Sequence, residues 1–506
     1  MTQIPRKLIL SFWLLSTCQL SACQAQSTEA QSTQAQPTQA QPAALPDELA
    51  ELGATSTKKL IEYGWDMPTP QILQANPARL AAAPFDGLTL RLSGAQIVFR
   101  RGSLDAAQVS RDVATLRALN SNKLANSYLS MYGGAGPGWD WLSDGDWAQT
   151  ERSARLVARA AKAAGLRGVM FDMEPYELNP WQYGNQPGAG KLDFAQFQTR
   201  VRARGAAFMR AMQGEYPGIQ IYSLYLLSAT DDVQGATPAE TQNNLSGSGY
   251  GLWPAFVNGM LDALAPGASL VEGNEHAYYY LHAADFDESR RTVRQRALPL
   301  VAPENRARYG KVQMGQAIFA DGVLDLWKSP RFIGYYFPDW AAREQTLGHN
   351  ITHALRTADE VAWFYNENFN WWAEGKPGQE PNQQRVRAVI EGARQLARSG
   401  QTIPEVASLK AAEAAFAGQV SVGGDLIGTN NAPVSFEVNG VNSPAGEIGP
   451  NCATWNAGQH YSCTFPGNWS GTIRPNIVGK PAFDPPERRY TNLKKDDWQA
   501  HFTLKP

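Results

Sequence analysis

The sequence predicts an α/β chain: a (β/α)8 TIM barrel followed by a small all-β sandwich. Three observations carry that expectation. Between about residues 58 and 372, eight short apolar runs ending in polar or glycine positions alternate with helical patterns. No glycine-rich phosphate fingerprint follows the first run, which favours a closed barrel over a doubly wound open sheet. After about residue 403 the chain turns to short alternating runs rich in Gly, Asn and Pro, with little helical pattern, as a sandwich requires.

The expected strands fall at 59–65, 87–93, 126–132, 168–174, 219–227, 269–275, 311–319 and 360–367. Helical spacing of Ala, Leu and Val is clearest over 146–165, which stops at Gly165, and over 193–213 and 346–358. The stretch SGSGYG at 246–251 does not follow a strand, so it reads as a loop before a helix rather than a phosphate cradle.

The N-terminus reads as an address. Arg6 and Lys7 precede the apolar run Leu8 to Leu15, and Leu20-Ser21-Ala22-Cys23 follows. This is a secretory signal over residues 1–22. Its end resembles the bacterial lipobox, which implies cleavage before Cys23 and lipid on its sulfur. Gln24 stands where an Asp would favour the inner membrane, so the expected address is an outer-membrane lipoprotein. Residues 23–45, a Gln/Ala/Ser/Thr/Pro tract after the cysteine, are too polar to fold and read as a tether. Two domains are then expected: the barrel over 46–403 and the sandwich over 404–506. No later run reaches the roughly 18 apolar residues needed to span a membrane.

Cys18 leaves with the signal, so Cys452 and Cys463 remain, and an exported chain is expected to pair them. With no histidine cluster nearby they do not make a zinc site. No metal or cofactor is expected. The formal charge is only −2, so no basic field points to nucleic acid. A monomer that binds carbohydrate, held to a membrane through Cys23, is the expected assembly.

In a barrel of this type, function gathers at the C-terminal ends of the strands. The first strand ends in Trp65 and Asp66. The third runs into Trp139, Asp140 and Trp141. The fourth delivers Asp172 and Glu174, then Tyr176 and Trp181; the fifth passes Tyr225. Glu275, with Asn274 and His276, ends the sixth, and Asp321 follows the seventh. Glu367 ends the eighth, ahead of Trp371 and Trp372. Acids accompanied by aromatics at most strand ends suit a sugar cleft better than a merely solvated rim. Trp65, Asp66, Trp139, Tyr176, Trp181, Tyr225, Trp371 and Trp372 are therefore expected to bind substrate, the rings by stacking on sugar faces.

Alternation along a strand puts Asp172 and Glu174 on one face, at the mouth. Two such carboxyls repel, and burial among rings adds to the effect, so at least one pKa should rise. A carboxyl kept protonated near neutral pH can serve as a general acid. The bland alternative has Asp172 capping the next loop and Glu174 pairing with an arginine. Glu275 or Glu367 would supply a second acid; Glu275 is favoured, because the ends of the fourth and sixth strands can face each other across a mouth. His276 reads as a hydrogen-bonding rim residue. Serine-hydrolase and zinc-protease motifs are missing from the sequence.

The stretch GVMFDMEPY at 168–176 resembles the fourth-strand motif of family 18 glycoside hydrolases, the chitinases. The resemblance implies that Glu174 is the acid and Asp172 supports it. An Asp expected upstream in that motif has no counterpart at 168–170. More broadly, EYGWDMP, PFDG, GVMFDMEPY and EVAWFYNENFNWW resemble uncharacterised bacterial TIM-barrel proteins related to glycoside hydrolases. That implies a fold and a chemistry class. The segment from Cys452 onward resembles bacterial Ig-like modules, in which the cysteine pair bridges neighbouring strands. The function expected is a membrane-anchored glycoside hydrolase with carboxylate acid/base catalysis. The alternative is a non-catalytic carbohydrate-binding or envelope-scaffolding lipoprotein on the same fold.

Overall fold

The computed structural model describes residues 58–93, 97–176, 178–374, 380–429, 434–439, 441–443, 452–455, 460–477 and 482–505. The expected signal, Cys23 and the tether lie outside the described residues.

The barrel strands are β1 (Lys59–Gly64), β2 (Gly87–Leu90), β4 (Tyr128–Ala135), β5 (Gly168–Asp172), β6 (Gln220–Ser223) and β7 (Ser269–Glu272), then β8 (Gln313–Met314), β9 (Gln316–Phe319) and β10 (Val361–Asn366); a short β3 (Ile97–Phe99) lies beside β4. All pair in parallel, in the order β8-β7-β6-β5-β4-β2-β1-β10-β9. The two ends of that order are one segment of chain. Gln313 and Met314 pair with β7, while Gln316 to Phe319 pair with β10. This seventh strand changes partner at Gly315 and so closes an eight-position barrel. A Cβ at Gly315 would sit 1.9 Å from the Tyr222 hydroxyl oxygen, so the switch needs a glycine.

All eight expected strands are present. Two features differ from the sequence reading: the seventh strand is kinked rather than continuous, and β3 is additional. A helix at Glu380–Ser399 also follows the last strand, where the alternating pattern was expected to have ended.

The outer helices start on side-chain caps. Ser143 caps Asp144–Ala163, and Asp193 with Gln196 forms a capping box for Phe194–Glu215. Asp339 caps Trp340–Thr357. Along β5, Phe171 points outward and stacks on Phe208 of the helix behind it, with ring centroids 5.8 Å apart. Its neighbours Met170 and Asp172 therefore face inward, and this aims Asp172 at the mouth. Between sheet and helices lies a tryptophan-rich layer: Trp141, Trp147, Trp181, Trp253 and Trp372 are fully buried there, and Trp363 is fully buried on the inner face of β10 against Tyr63. At ~25 cal/mol per Å² over roughly 150–250 Å², each contributes about 4–6 kcal/mol as an upper bound.

The C-terminal region is a two-sheet sandwich. Its strands are β11 (Val420–Ile427), β12 (Ser435–Val438), β13 (Val441–Ser443), β14 (Cys452–Trp455), β15 (His460–Phe465), β16 (Trp469–Asn476), β17 (Phe483–Asp484), β18 (Arg488–Leu493) and β19 (Phe502–Leu504). One sheet runs β14-β15-β11-β19-β17 and the other β13-β12-β16-β18. Phe436 of the second sheet stacks on Tyr461 of the first at 4.6 Å. Cys452 and Cys463 stand opposite each other on β14 and β15 and form the expected disulfide. Before the sandwich, a helix at Leu409–Ala417 packs back on the barrel, with Phe416 edge-on to Tyr336. Arg331 also donates to Ser462 O at 2.7 Å, tying the sandwich to the loop after β9.

Candidate active site

The C-terminal mouth of the barrel gathers acids from the ends of five strands, β1, β5, β7, β9 and β10. At the end of β5, Asp172 is fully buried and accepts three hydrogen bonds. The Glu174 amide donates to Oδ1 at 3.0 Å; the Tyr63 and Tyr176 hydroxyls donate to Oδ2 at 2.8 and 2.9 Å. Burial pushes the Asp172 pKa up to about 6, and those three donors hold it from rising further. Asp172 thus does cap its own loop, as the bland alternative expected. Glu174, however, pairs with no arginine among the described residues; its partner is Tyr176.

That partner carries a constraint. The Tyr176 hydroxyl lies 2.9 Å from Asp172 Oδ2 and 2.6 Å from Glu174 Oε2. A phenol has one proton and can donate to only one of them. The other contact becomes a hydrogen bond only if a carboxyl supplies the proton. Asp172 already receives two other donors, which favour its charged form. Glu174 has no such help. Burial raises its pKa well above the ordinary value, and the charges of Glu275 and Asp172 raise it further. The consistent arrangement is Glu174 protonated and donating to Tyr176, Tyr176 donating to an ionised Asp172, and Tyr63 donating to Asp172 from the other side.

Glu275 stands beyond β7, on a turn made by Asn274 in the left-handed conformation (φ 49°). The carboxyl of Glu272 accepts the Asn274 amide at 3.1 Å and fixes the turn. Burial pushes the Glu275 pKa up to about 7; the Tyr225 hydroxyl pulls it down, the Asp172 charge raises it, and Tyr278 pulls it down. Its Oε2 has no hydrogen-bond partner among the described residues. Glu367, beyond β10, accepts the Tyr365 hydroxyl at 2.8 Å, and burial likewise pushes its pKa up to about 7. The charges of Glu367, Glu275 and Glu174 all act on the Tyr365 hydroxyl, so the three glutamates lie near this one side chain of the cleft wall.

Buried acids hold the loop that carries Glu367. Asp321 Oδ2 accepts the amides of Glu367 and Asn368 at 2.7 and 3.0 Å. Asp66 accepts the Trp371 amide at 2.8 Å. Glu62 accepts Asn366 Nδ2 at 2.8 Å and the Trp372 indole N–H at 3.0 Å. Asp66 is therefore a loop support in this structure.

The sugar-stacking expectation divides sharply. Trp65 and Tyr176 are exposed, at 64% and 63%, and line a cleft of about 460 Å³ with Tyr63, Ile97, Tyr132 and Tyr365. Tyr225 is half-buried beside Glu275. Trp139, Trp181, Trp371 and Trp372 are buried and present no free face, a correction to the expected stacking role. They serve packing and backbone support instead. Trp181 donates its indole N–H to Met173 O at 2.7 Å, holding the loop that carries Glu174. Trp139 donates to Thr150, and Trp371 packs edge-on against Phe85. Trp363 does for the β7 loop what Trp181 does for β5, donating to Gly273 O at 2.8 Å.

Tyr63, Tyr132 and Glu62 belong to the site although the sequence reading passed over them. Alternation on β1 puts Tyr63 on the same face as Trp65, the available signal. Among the described residues no group of three or more His, Cys, Asp or Glu could hold a metal ion. No helix among them is long and apolar enough to cross a membrane.

No protein-family model and no curated protein matches the chain. Among solved structures, it is similar to a family 5 glycoside hydrolase from Prevotella bryantii, PbGH5A, at 11% identity and a TM-score of 0.36, over 66% of this chain and 88% of that one. It is similar to a family 18 chitinase from Pseudoalteromonas aurantia at 13% identity and a TM-score of 0.33, over 66% and 99%. A broad-specificity endoglucanase of family 5 from an uncultured bacterium matches at 13% identity and a TM-score of 0.32, over 65% and 86%. The barrel assignment itself rests on the strand pairing.

Proposed function

We propose that this protein is a glycoside hydrolase in which Glu174 is the general acid. The observation that carries the reading is the Tyr176 hydroxyl shared between Asp172 and Glu174, an arrangement satisfied by one proton held at Glu174. In the reaction, that proton passes to the glycosidic oxygen as its bond to the anomeric carbon breaks. Glu174 becomes a carboxylate, and Tyr176 can turn its hydroxyl from Asp172 to stabilise the new charge. Asp172 is the supporting carboxylate. Glu275 is the second acid, acting on the anomeric carbon directly or through water; water's hydroxyl ends on the sugar and its proton goes to Glu174 in the first case and to Glu275 in the second. Its charge already acts on Glu174, which supports a shared cleft. Glu367, paired with Tyr365, lines the opening and contacts the bound chain. Trp65 and Tyr176 offer their faces to sugar rings.

The test is Glu174→Gln in the full chain, screened for reducing-end release from a polysaccharide panel. Wild type should release sugar, and the variant should be slower by about 10²–10⁴-fold with binding retained. Wild type that binds glycans but releases nothing would return the protein to the non-catalytic carbohydrate-binding reading.

The lipobox-like segment supports a lipid anchor at Cys23 on an outer-membrane lipoprotein, with barrel and sandwich held off the membrane by the tether. Incorporation of a labelled fatty acid, lost in Cys23→Ser, tests it. The sandwich is proposed to be an Ig-like appendage without catalytic residues.

A further inference from the structure

The mouth is unusual in its charge balance. Across the chain acids and bases nearly cancel, 47 against 45, and arginines are paired with acids elsewhere on the molecule. At this end of the barrel they are not. Asp172, Glu174, Glu275 and Glu367 have no Lys, Arg or His within 4.0 Å among the described residues; their partners are tyrosine hydroxyls and backbone amides. Asp66 and Asp321 behind them are likewise unpaired with any base. Two basic groups come near without meeting these carboxyls. Exposed Arg91 acts on Tyr132 at the cleft wall, and His276 rests on the Tyr225 ring with Nε2 toward Ser228 O.

The rings beside the acids are electron-rich and accessible. Trp65 and Tyr176 are exposed, and Tyr132 and Tyr365 share their cleft. Glu275 also keeps one oxygen, Oε2, without a hydrogen-bond partner. An ammonium group suits both features at once. It donates to carboxylates and is attracted to the faces of Trp and Tyr. A neutral sugar hydroxyl meets the first need weakly and the second not at all. An anionic sugar would be repelled.

We propose that the substrate is a cationic glycan, a polymer of amino sugars with free rather than acetylated amines, whose ammonium groups sit at the carboxylates of Glu275 and Glu367 against the rings of Trp65, Tyr176 and Tyr365, beside the protonated Glu174. That it is cleaved rests on the hydrolase reading above; that it is preferred rests on the charge and the rings. A cleft lined by one sign of charge also draws in the opposite charge over distance, so association should be salt-sensitive.

The experiment measures binding and cleavage by the full chain in detergent, with glucosamine oligosaccharides, their N-acetylated counterparts and galacturonate oligosaccharides of equal length. It is run at about 0.05 M and about 0.5 M salt, where the screening length falls to a few ångströms. The expected result is a preference for the free-amine chain of roughly tenfold or more at low salt, shrinking at high salt. Glu367→Gln should lower that preference toward unity. Equal or better binding of the acetylated or anionic chain overturns the proposal and leaves the hydrolase reading standing. Binding of the free-amine chain with no cleavage of any glycan supports the charge inference and sinks the hydrolase reading instead.

Discussion

Tyr63→Phe isolates one donor of the Asp172 network. Phenylalanine keeps the ring that meets Trp363 edge-on at 5.4 Å and Tyr365 at 5.8 Å, so packing is preserved. What goes is one hydroxyl, donating at 2.8 Å to a fully buried carboxylate. A hydrogen bond to a charged group is worth about 1.5–3 kcal/mol. At 1.36 kcal/mol per pKa unit, its loss should raise the Asp172 pKa by ~1–2 from its value of about 6. Asp172 must be ionised to accept from Tyr176, so raising its pKa moves the acid limb of the pH–rate profile to higher pH. The assay is kcat/KM against pH on a glycan that wild type cleaves, with circular dichroism confirming the fold. The acid limb should move up by ~1–2 pH units, with the alkaline limb, set by deprotonation of Glu174, unmoved. An acid limb that stays put, or moves down, would refute the claim that Tyr63 holds Asp172 ionised.

Asp321→Asn removes a fully buried carboxyl whose pKa stands at about 6 against 3.8. A raised folded-state pKa stabilises the fold below about pH 4, and that gain is lost as pH rises through 6. The variant should therefore be more stable than wild type by about 2–3 kcal/mol at pH 8 and near-neutral at pH 4, by chemical denaturation; no pH dependence in the difference would contradict the assignment. Trp65→Ala should weaken glycan binding and leave the melting temperature within a degree or two, whereas Trp181→Ala should cost about 3–5 kcal/mol of stability; the opposite pattern would reverse their assigned roles. Reducing the Cys452–Cys463 bridge should destabilise the sandwich by about 2–3 kcal/mol. Thermal scans with and without reductant should show that loss, with the barrel transition unmoved.

The strands were legible because each is a short apolar run, buried on both faces, ending in polar or glycine residues. The change of partner at Gly315 was not, since it depends on which neighbours the segment finds in space. β3 is only three residues long, too short for any period to register. The acids of the site could be read from the strand ends: Asp172 and Glu174 by alternation, Glu275 and Glu367 by position. Their protonation partners could not, because Tyr63 lies 109 residues before Asp172 and meets it only through barrel closure. The tryptophans misled for a related reason. An indole beside an acid in sequence can point into the core as readily as into the cleft. Here Trp141, Trp181, Trp253 and Trp363 point inward, and their N–H groups satisfy loop carbonyls at the strand ends. They shape the mouth without lining it.

The central claim is that Glu174 delivers a proton to the leaving group. Its most direct test is the leaving-group dependence of Glu174→Gln. On glycosides with a poor, basic leaving group the variant should lose about 10²–10⁴-fold in kcat/KM. On activated aryl glycosides, whose leaving group departs without protonation, it should retain most of the wild-type rate. A loss of the same size on both, or no loss on either, would contradict Glu174 as the acid.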